Sequence, residues 1–299
     1  MSEGRQRTRE FAAYGAVALA ALLWSGNHIV GRAIAGHVPP VAMSTLRWVV
    51  PVFLLLPFVG QHLRRDWPEL CKHWHVVAFL AISGGAVFGA LQYVGLQLTT
   101  AINVSVLNSV APVLMVAASA VLFGDRVSVR QIAGIMTSLA GVIVIVCRAD
   151  LGVLASMAFN WGDLIIIFNM GVFAIYSAYL RLRPAVHWLT FTFALAVIAA
   201  VVSLPAFLLE HLAGHTLQPT AKTLAALAYV TVFPSVVATI AWNRGVELIG
   251  PGRAGAMLHL IALYSAVLAS VFLGEALLLF HYVGFALIIA GVWLAARKA

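Results

Sequence analysis

Apolar runs of about twenty residues recur ten times along the chain, near 11–34, 40–60, 74–97, 100–123, 129–147, 161–181, 188–209, 221–246, 253–273 and 278–296. Each is long enough for a helix rising about 1.5 Å per residue to cross a hydrocarbon core of about 30 Å. Between them stand residues that end helices: Val38-Pro39-Pro40, the polar run Gln61 to His73, Gly124-Asp125-Arg126, Arg181 to Pro184, Gly214 to Pro219, Gly250-Pro251-Gly252 and Gly274-Glu275. The pattern predicts an all-α integral membrane protein of ten transmembrane helices. Little of the 299-residue chain is left over for a domain outside the lipid bilayer.

Basic residues sort by side. Taking loops alternately, one face collects fourteen Lys and Arg, among them Arg64, Arg65, Arg126, Arg181 and Arg244, while the other holds Arg32, Arg148 and Lys222. Short cytoplasmic loops retain basic residues, so both termini are expected in the cytoplasm and the protein in the inner (plasma) membrane. A missed span would swap the faces of every later loop and mix the charges. The stretch from Arg5 into the run at Phe11 also imitates a signal peptide, with small residues at Ala33 and Ala35. Against this, the run exceeds the roughly 7–15 residues of a typical signal-peptide core, and it carries Asn27 and His28.

The chain also resembles itself. Shifted by 150 residues, Gly95-Leu96 falls on Gly245-Val246, Leu122-Phe123-Gly124-Asp125 on Phe272-Leu273-Gly274-Glu275, and Gly134 through Val142 on Gly284 through Val292. Nearer the N-terminus the offset is 152 and lays Trp24-Ser25 over Tyr176-Ser177. The two units are 11–147 and 161–296, five spans each. Five is odd, so the second copy enters the membrane from the opposite side and the pair is an inverted repeat. Two near-equivalent halves of opposite orientation can exchange conformations and give alternating access, the usual logic of secondary transporters. Duplication is also simply how membrane folds grow.

Composition narrows the function further. Hydrophobic residues make up 63% of the chain and charged residues 9%, with mean hydropathy +1.00, against roughly 45–50% and about 25% in soluble domains. The net charge of +8 is scattered between apolar runs rather than clustered on one face, so nucleic acid is not an expected partner. Cys71 and Cys147 fall at opposite membrane faces and form no disulfide framework. The chain lacks a Gly-Lys-Ser/Thr phosphate loop and a cluster of metal-ligating residues, and no cofactor or metal is expected. An intramembrane enzyme would need catalytic groups gathered at one membrane level, and a channel would need a filter. The partners expected are a small-molecule substrate and lipid; oligomeric state stays open, with a monomer compatible.

Polar residues inside spans are costly in hydrocarbon and mark cavities or helix contacts. In span four, Ser105, Asn108 and Pro112 share one helical face. Pro112 frees the carbonyl of Asn108 for a ligand, or merely kinks a helix whose Asn108 bonds a neighbour. In span three, Gln92 and Tyr93 lie mid-membrane near Gly85 and Gly89, glycines that read first as close helix packing. His259 in span nine is a carboxylate ligand, a proton carrier, or a histidine bonded within the bundle. Tyr264 lies about 140° around that helix and need not share its face. Trp242-Asn243 in span eight suits an amphipathic amino acid, although Trp242 also falls where an interfacial belt places tryptophan, as do Trp48, Trp67, Trp74, Trp161, Trp188 and Trp293. Arg47, about 10 Å deep in span two, either bonds a neighbouring span, snorkels, or attracts an anion. Asn27 is a weaker cavity candidate, and Asp163 a helix start.

The string Ala111-Pro112-Val113-Leu114, Leu122-Phe123-Gly124-Asp125-Arg126, Gln131-Ile132-Ala133-Gly134 and Ala140-Gly141-Val142, echoed by Leu273-Gly274-Glu275 and Gly284 to Gly291, resembles the paired EamA domains of the drug/metabolite transporter superfamily. Trp24-Ser25 and Arg47 also match its pattern, and the likeness covers nearly the whole chain. Within the superfamily the chain looks most like YddG-type aromatic amino acid exporters. The resemblance implies a ten-span inverted-repeat exporter, driven by a gradient or by the substrate's own concentration difference. It also implies that spans three, four, eight and nine line a central cavity. Amino acids are then the expected cargo, with a drug, purine or sugar-like metabolite as the alternative. Two positions depart from the family pattern: Ala262 stands where the first copy has Pro112, so the halves need not bend alike, and Asp125 replaces the more usual Glu.

Overall fold

A computed structural model describes residues 3–33, 38–99, 101–155 and 159–296. Its long helices are α1 Glu3–Ala33, α2 Pro40–Lys72, α3 Trp74–Gly95, α4 Asn103–Phe123, α5 Val129–Val146, α6 Trp161–Leu182, α7 Trp188–Leu212, α8 Ala221–Ile249, α9 Pro251–Phe272 and α10 Leu279–Ala296. Among the described residues, nine of these, α2 to α10, are long and apolar enough to cross a membrane. The first, α1, has the length at 31 residues, and the side chains of His28 and Ile29 within its apolar run lie outside the described residues. The side chains of His28 and of Arg5, Arg7, Arg32, Arg297 and Lys298, which enter the charge count, lie outside the described residues, as do Ala33 and Ala35 of the signal-peptide reading.

One expected boundary is wrong. The polar run after residue 60 is helix, not loop, and α2 continues to Lys72 before His73 closes it at φ −110°. Gln, Leu, Arg, Glu and Lys are all good helix formers, and Glu69 pairs with His73 one turn on at 3.1 Å. The start of α2 has no side-chain cap of its own. Glu210 of α7 supplies one, its carboxylate accepting from the Val41 and Ala42 amides at 3.0 and 2.6 Å. At the start of α6, Asn160 and Asp163 form a reciprocal capping box.

Four helices depart from α geometry, in two pairs related by the 150-residue offset. Residues Ile82–Val87 of α3 and Thr231–Val237 of α8 form π turns, the second around Pro234. Proline lacks the N–H that a regular turn needs. α4 breaks at Ser109-Val110, just before Pro112, and α9 tightens to a 3₁₀ turn at Met257–His259. Ala262 therefore does not spare the second copy its bend.

Packing follows the same offset. α1 lies against α8 and α9, as α6 lies against α3 and α4; α2 packs on α7, and α5 on α10. The α5–α10 seam is made of glycine. A Cβ on Gly134 would stand 2.6 Å from the Gly291 carbonyl, and one on Gly141 would stand 2.7 Å from that of Gly284. Gly85 and Gly89 likewise admit Ala199 and Ser44, as close packing predicts. Large apolar side chains such as Val121, Ile132, Met136, Val201 and Ile289 are exposed on outward faces, the arrangement expected where lipid is the solvent.

Candidate functional site

The main core fills one end of the bundle, joining Val17 of α1, Leu80 of α3, Met115 of α4, Leu180 of α6 and Val246 of α8. At that end Arg181 donates to both Asp125 and Ser119 and lies 4.1 Å over the Phe123 ring. Beside it Arg183 and Arg244 share Glu247 at 2.6 and 2.7 Å. Tyr179 packs against Phe79 and Phe123 at 4.8 and 5.7 Å between centroids. Ions and rings together close this end.

Next to the plug is a hollow bordered by Trp24, Arg47, Trp48, Gly84, Phe88, Phe173, Tyr176, Thr239 and Trp242, which come from α1, α2, α3, α6 and α8. Its free volume is about 30 Å³, room for a water or two and far below the roughly 300–1,000 Å³ of an occupied small-molecule site. The site is contracted in this conformation.

Aromatic rings build the walls. Trp242 stands 5.4 Å from both Trp24 and Phe173, and Phe88 stands 4.9 Å from Phe173. Two of the indoles are anchored by the irregular turns: Trp24 Nε1 donates to the Pro234 carbonyl at 3.2 Å and Trp48 Nε1 to that of Gly85 at 3.1 Å. Trp48 is thus buried, not in the interfacial belt, whereas Trp67, Trp74, Trp161, Trp188 and Trp293 are exposed as a belt requires. The indole N–H of Trp242 has no partner although the residue is only 1% exposed. Tyr176 O–H donates to Asn243 Oδ1 at 2.6 Å, leaving Asn243 Nδ2 unpartnered. Arg47 is half-buried, and its Nε donates to Ser235 Oγ of α8 at 3.1 Å.

The sequence candidates divide accordingly. Trp242 borders the hollow, Asn243 adjoins it through Tyr176, and Arg47 borders it too. Of the spans implied by resemblance, α3 and α8 border this hollow and α4 and α9 do not, while α1, α2 and α6 border it as well. Gln92 instead accepts from Asn169 Nδ2 at 3.0 Å, and Tyr93 packs in a small cluster with Met43 and Val230. His259 is buried, with Nε2 donating to the Ser109 carbonyl at 2.8 Å and Nδ1 at 2.5 Å from Ser138 Oγ. It serves the contact of α9 with α4 and α5. Pro112 is buried at the start of the second segment of α4, Ser105 is exposed and Tyr264 half-buried, all away from the hollow. Asn27 and Asn108 each bury an Oδ1 without a partner. Asp163 does more than start α6: it accepts from Thr99 at 2.6 Å and from Asn103 at 3.1 Å. Phe88, Phe173 and Thr239 escaped sequence reading. Tyr176 was visible only as a repeat mate and Trp24 as a repeat mate and a match to the family pattern; both border the hollow.

An all-helical bundle with lipid-facing apolar sides and a buried aromatic hollow is a multi-pass membrane protein built to hold something inside the bilayer. The profile of the EamA-like transporter family matches residues 12–147 and again 160–297. The chain belongs to that family; it is a transporter, not an enzyme. It is 28% identical to an uncharacterized transporter of Archaeoglobus fulgidus over 94% of this chain and 96% of that one. It is 25% identical to the uncharacterized transporter YyaM of Bacillus subtilis over 86% and 84%. A probable terminal-alkyne amino-acid exporter of Streptantibioticus cattleyicolor is 28% identical over 75% of this chain and 73% of its own. These prokaryotic relatives and the apolar helices fit a multi-pass protein of the inner (plasma) membrane. A solved crystal structure shares the fold, with TM-score 0.75, 21% identity and coverage of 98% and 97%.

Proposed function

We propose that this transporter exports small metabolites, chiefly amino acids and aromatic ones among them, by alternating access through the hollow between two five-helix halves, 11–147 and 161–296, of opposite orientation. The observation that carries the reading is the hollow itself: six aromatic side chains and an arginine border it, the apolar wall with a few polar groups that small-molecule sites have. Rings suit an aromatic side chain, and the polar groups suit a backbone-type end. A relative described as a probable amino-acid exporter agrees with this cargo. The paired arrangement is supported by α1 packing on α8 and α9 as α6 packs on α3 and α4, and by matched irregular turns in α3/α8 and α4/α9; the cytoplasmic termini rest on the sorting of basic residues between the two faces.

In this account the π turns are the hinges. They meet the hollow at Gly84 and anchor Trp24 and Trp48, so a change in their geometry moves the walls directly. The contracted volume and the closed Arg181–Asp125 end describe one state of the cycle; widening the hollow admits cargo. Purified protein in liposomes loaded with labelled phenylalanine, tryptophan and leucine should show saturable, protein-dependent counterflow. Flux of a dye, purine or sugar with none of any amino acid would replace this cargo with the other class.

A further inference from the structure

The charges around the hollow do not balance. Arg47 brings one positive charge to its border, and among the described residues no Asp or Glu lines it. The nearby carboxylates are engaged elsewhere: Asp163 with Thr99 and Asn103, Glu247 with Arg183 and Arg244, Asp125 with Arg181, and Asp66 with the His187 amide at 2.9 Å. Arg47 itself makes no ion pair with a described residue. Its Nε is held by Ser235, which in turn donates to the Val230 carbonyl at 2.8 Å, so the guanidinium is fixed by a neutral group. Trp242, which borders the hollow, also buries an indole Nε1 that has no partner. A buried donor without an acceptor is a cost that a ligand acceptor would remove.

A cationic donor at the border of an aromatic hollow, with no anion among the described lining residues, makes a receptor for a carboxylate. We propose that the hollow recognises the carboxylate of its cargo and makes no charged contact to an ammonium, so that its substrate class is arylalkyl monocarboxylates, of which aromatic amino acids are members. This rests on reading the hollow as the cargo site. Electrostatics sets the preference. A monoanion beside Arg47 forms a net-neutral buried pair, whereas a zwitterion leaves one positive charge uncompensated in a low-dielectric site. The rings offer the ammonium little in return. A cation–π contact needs an open ring face, and Trp24, Trp242, Phe173 and Phe88 pack on one another at 4.9–5.4 Å.

The test is competition against labelled tryptophan counterflow in proteoliposomes, using indole-3-propionate, which keeps the ring and carboxylate, and tryptamine, which keeps the ring and amine. Indole-3-propionate should inhibit at least as strongly as unlabelled tryptophan and at least tenfold more strongly than tryptamine. Tryptamine matching it, or indole-3-propionate failing while tryptophan competes, overturns the proposal and leaves amino acid export standing. Absence of tryptophan flux would defeat the export reading instead; a thermal shift by indole-3-propionate without one by tryptamine would still uphold the carboxylate site, and equal or absent shifts would overturn it. In Arg47→Gln the tenfold ratio should collapse toward one, while Arg47→Lys keeps most of it. A ratio unchanged in folded Arg47→Gln, as judged by its melting curve, would also overturn it.

Discussion

His259 sits where α9 loses regular geometry, and its two ring nitrogens define its role. Nε2 donates to a backbone carbonyl in the break of α4, exactly one repeat length away, and Nδ1 meets Ser138 of α5. Both bonds are to the bundle, so His259→Ala should lower the melting temperature by leaving the Ser109 carbonyl without its partner, a loss of about 1–3 kcal/mol, while Ser138 Oγ keeps its bond to the Ile135 carbonyl. Flux per folded molecule should stay within about twofold. A large loss of flux at unchanged stability would instead put the imidazole in the transport path. From sequence alone a buried histidine reads equally as ligand or as strut, because the partner carbonyl lies 150 residues away. Arg47 and Trp242 were legible as unusual residues, but not as neighbours, for the same reason. Trp48 misled because tryptophan near a predicted span end has a default place at the interface, and only the Gly85 carbonyl in the π turn of α3 explains its burial.

Helices were the most legible level. Among the described residues nine of the ten apolar runs coincide with helices long and apolar enough to cross a membrane, and the glycines at 134, 141, 284 and 291 announce the seam of α5 with α10. Substituting Gly141→Leu should destabilise the protein sharply, because the new Cβ meets the Gly284 carbonyl and the Ile288 amide at 2.7 and 2.9 Å, backbone that cannot step aside. Thermal melting in detergent would register the loss; an unchanged melting point would mean the seam is looser than described. Two features had no sequence signature. The polar continuation of α2 looks like a loop when only hydropathy is read, and Glu210 caps a helix that begins 169 residues earlier. Glu210→Gln keeps one acceptor of the two and should cost less than Glu210→Ala, with roughly 1 kcal/mol separating intact from absent caps. Equal melting points for both would dismiss the cap.

At the scale of the molecule, ion pairs and rings pack one end of the bundle. The Arg181 guanidinium beside Asp125 holds its carboxyl below the ordinary value of 3.8. A carboxyl depressed in the folded state contributes stability that is complete above about pH 4 and is lost as pH falls through the depressed value. The melting-point difference between the wild type and Asp125→Asn should therefore be present at pH 7 and shrink toward zero below pH 4; a difference that grows on acidification would contradict the pairing. The 150-residue offset read from the sequence recurs in the irregular turns of α3/α8 and α4/α9 and in the helices packed against α1 and α6. It left the closed end unreadable, since which half is packed and which is open depends on the state adopted and not on the sequence they share. The central claim is that cargo passes through the hollow among Trp24, Phe173 and Trp242. Replace Cys71 and Cys147, introduce Thr239→Cys at its wall, and measure labelling by a membrane-impermeant thiol reagent with and without phenylalanine. The account predicts labelling that transported solutes slow severalfold and non-transported ones leave alone; labelling indifferent to every transported solute would contradict it.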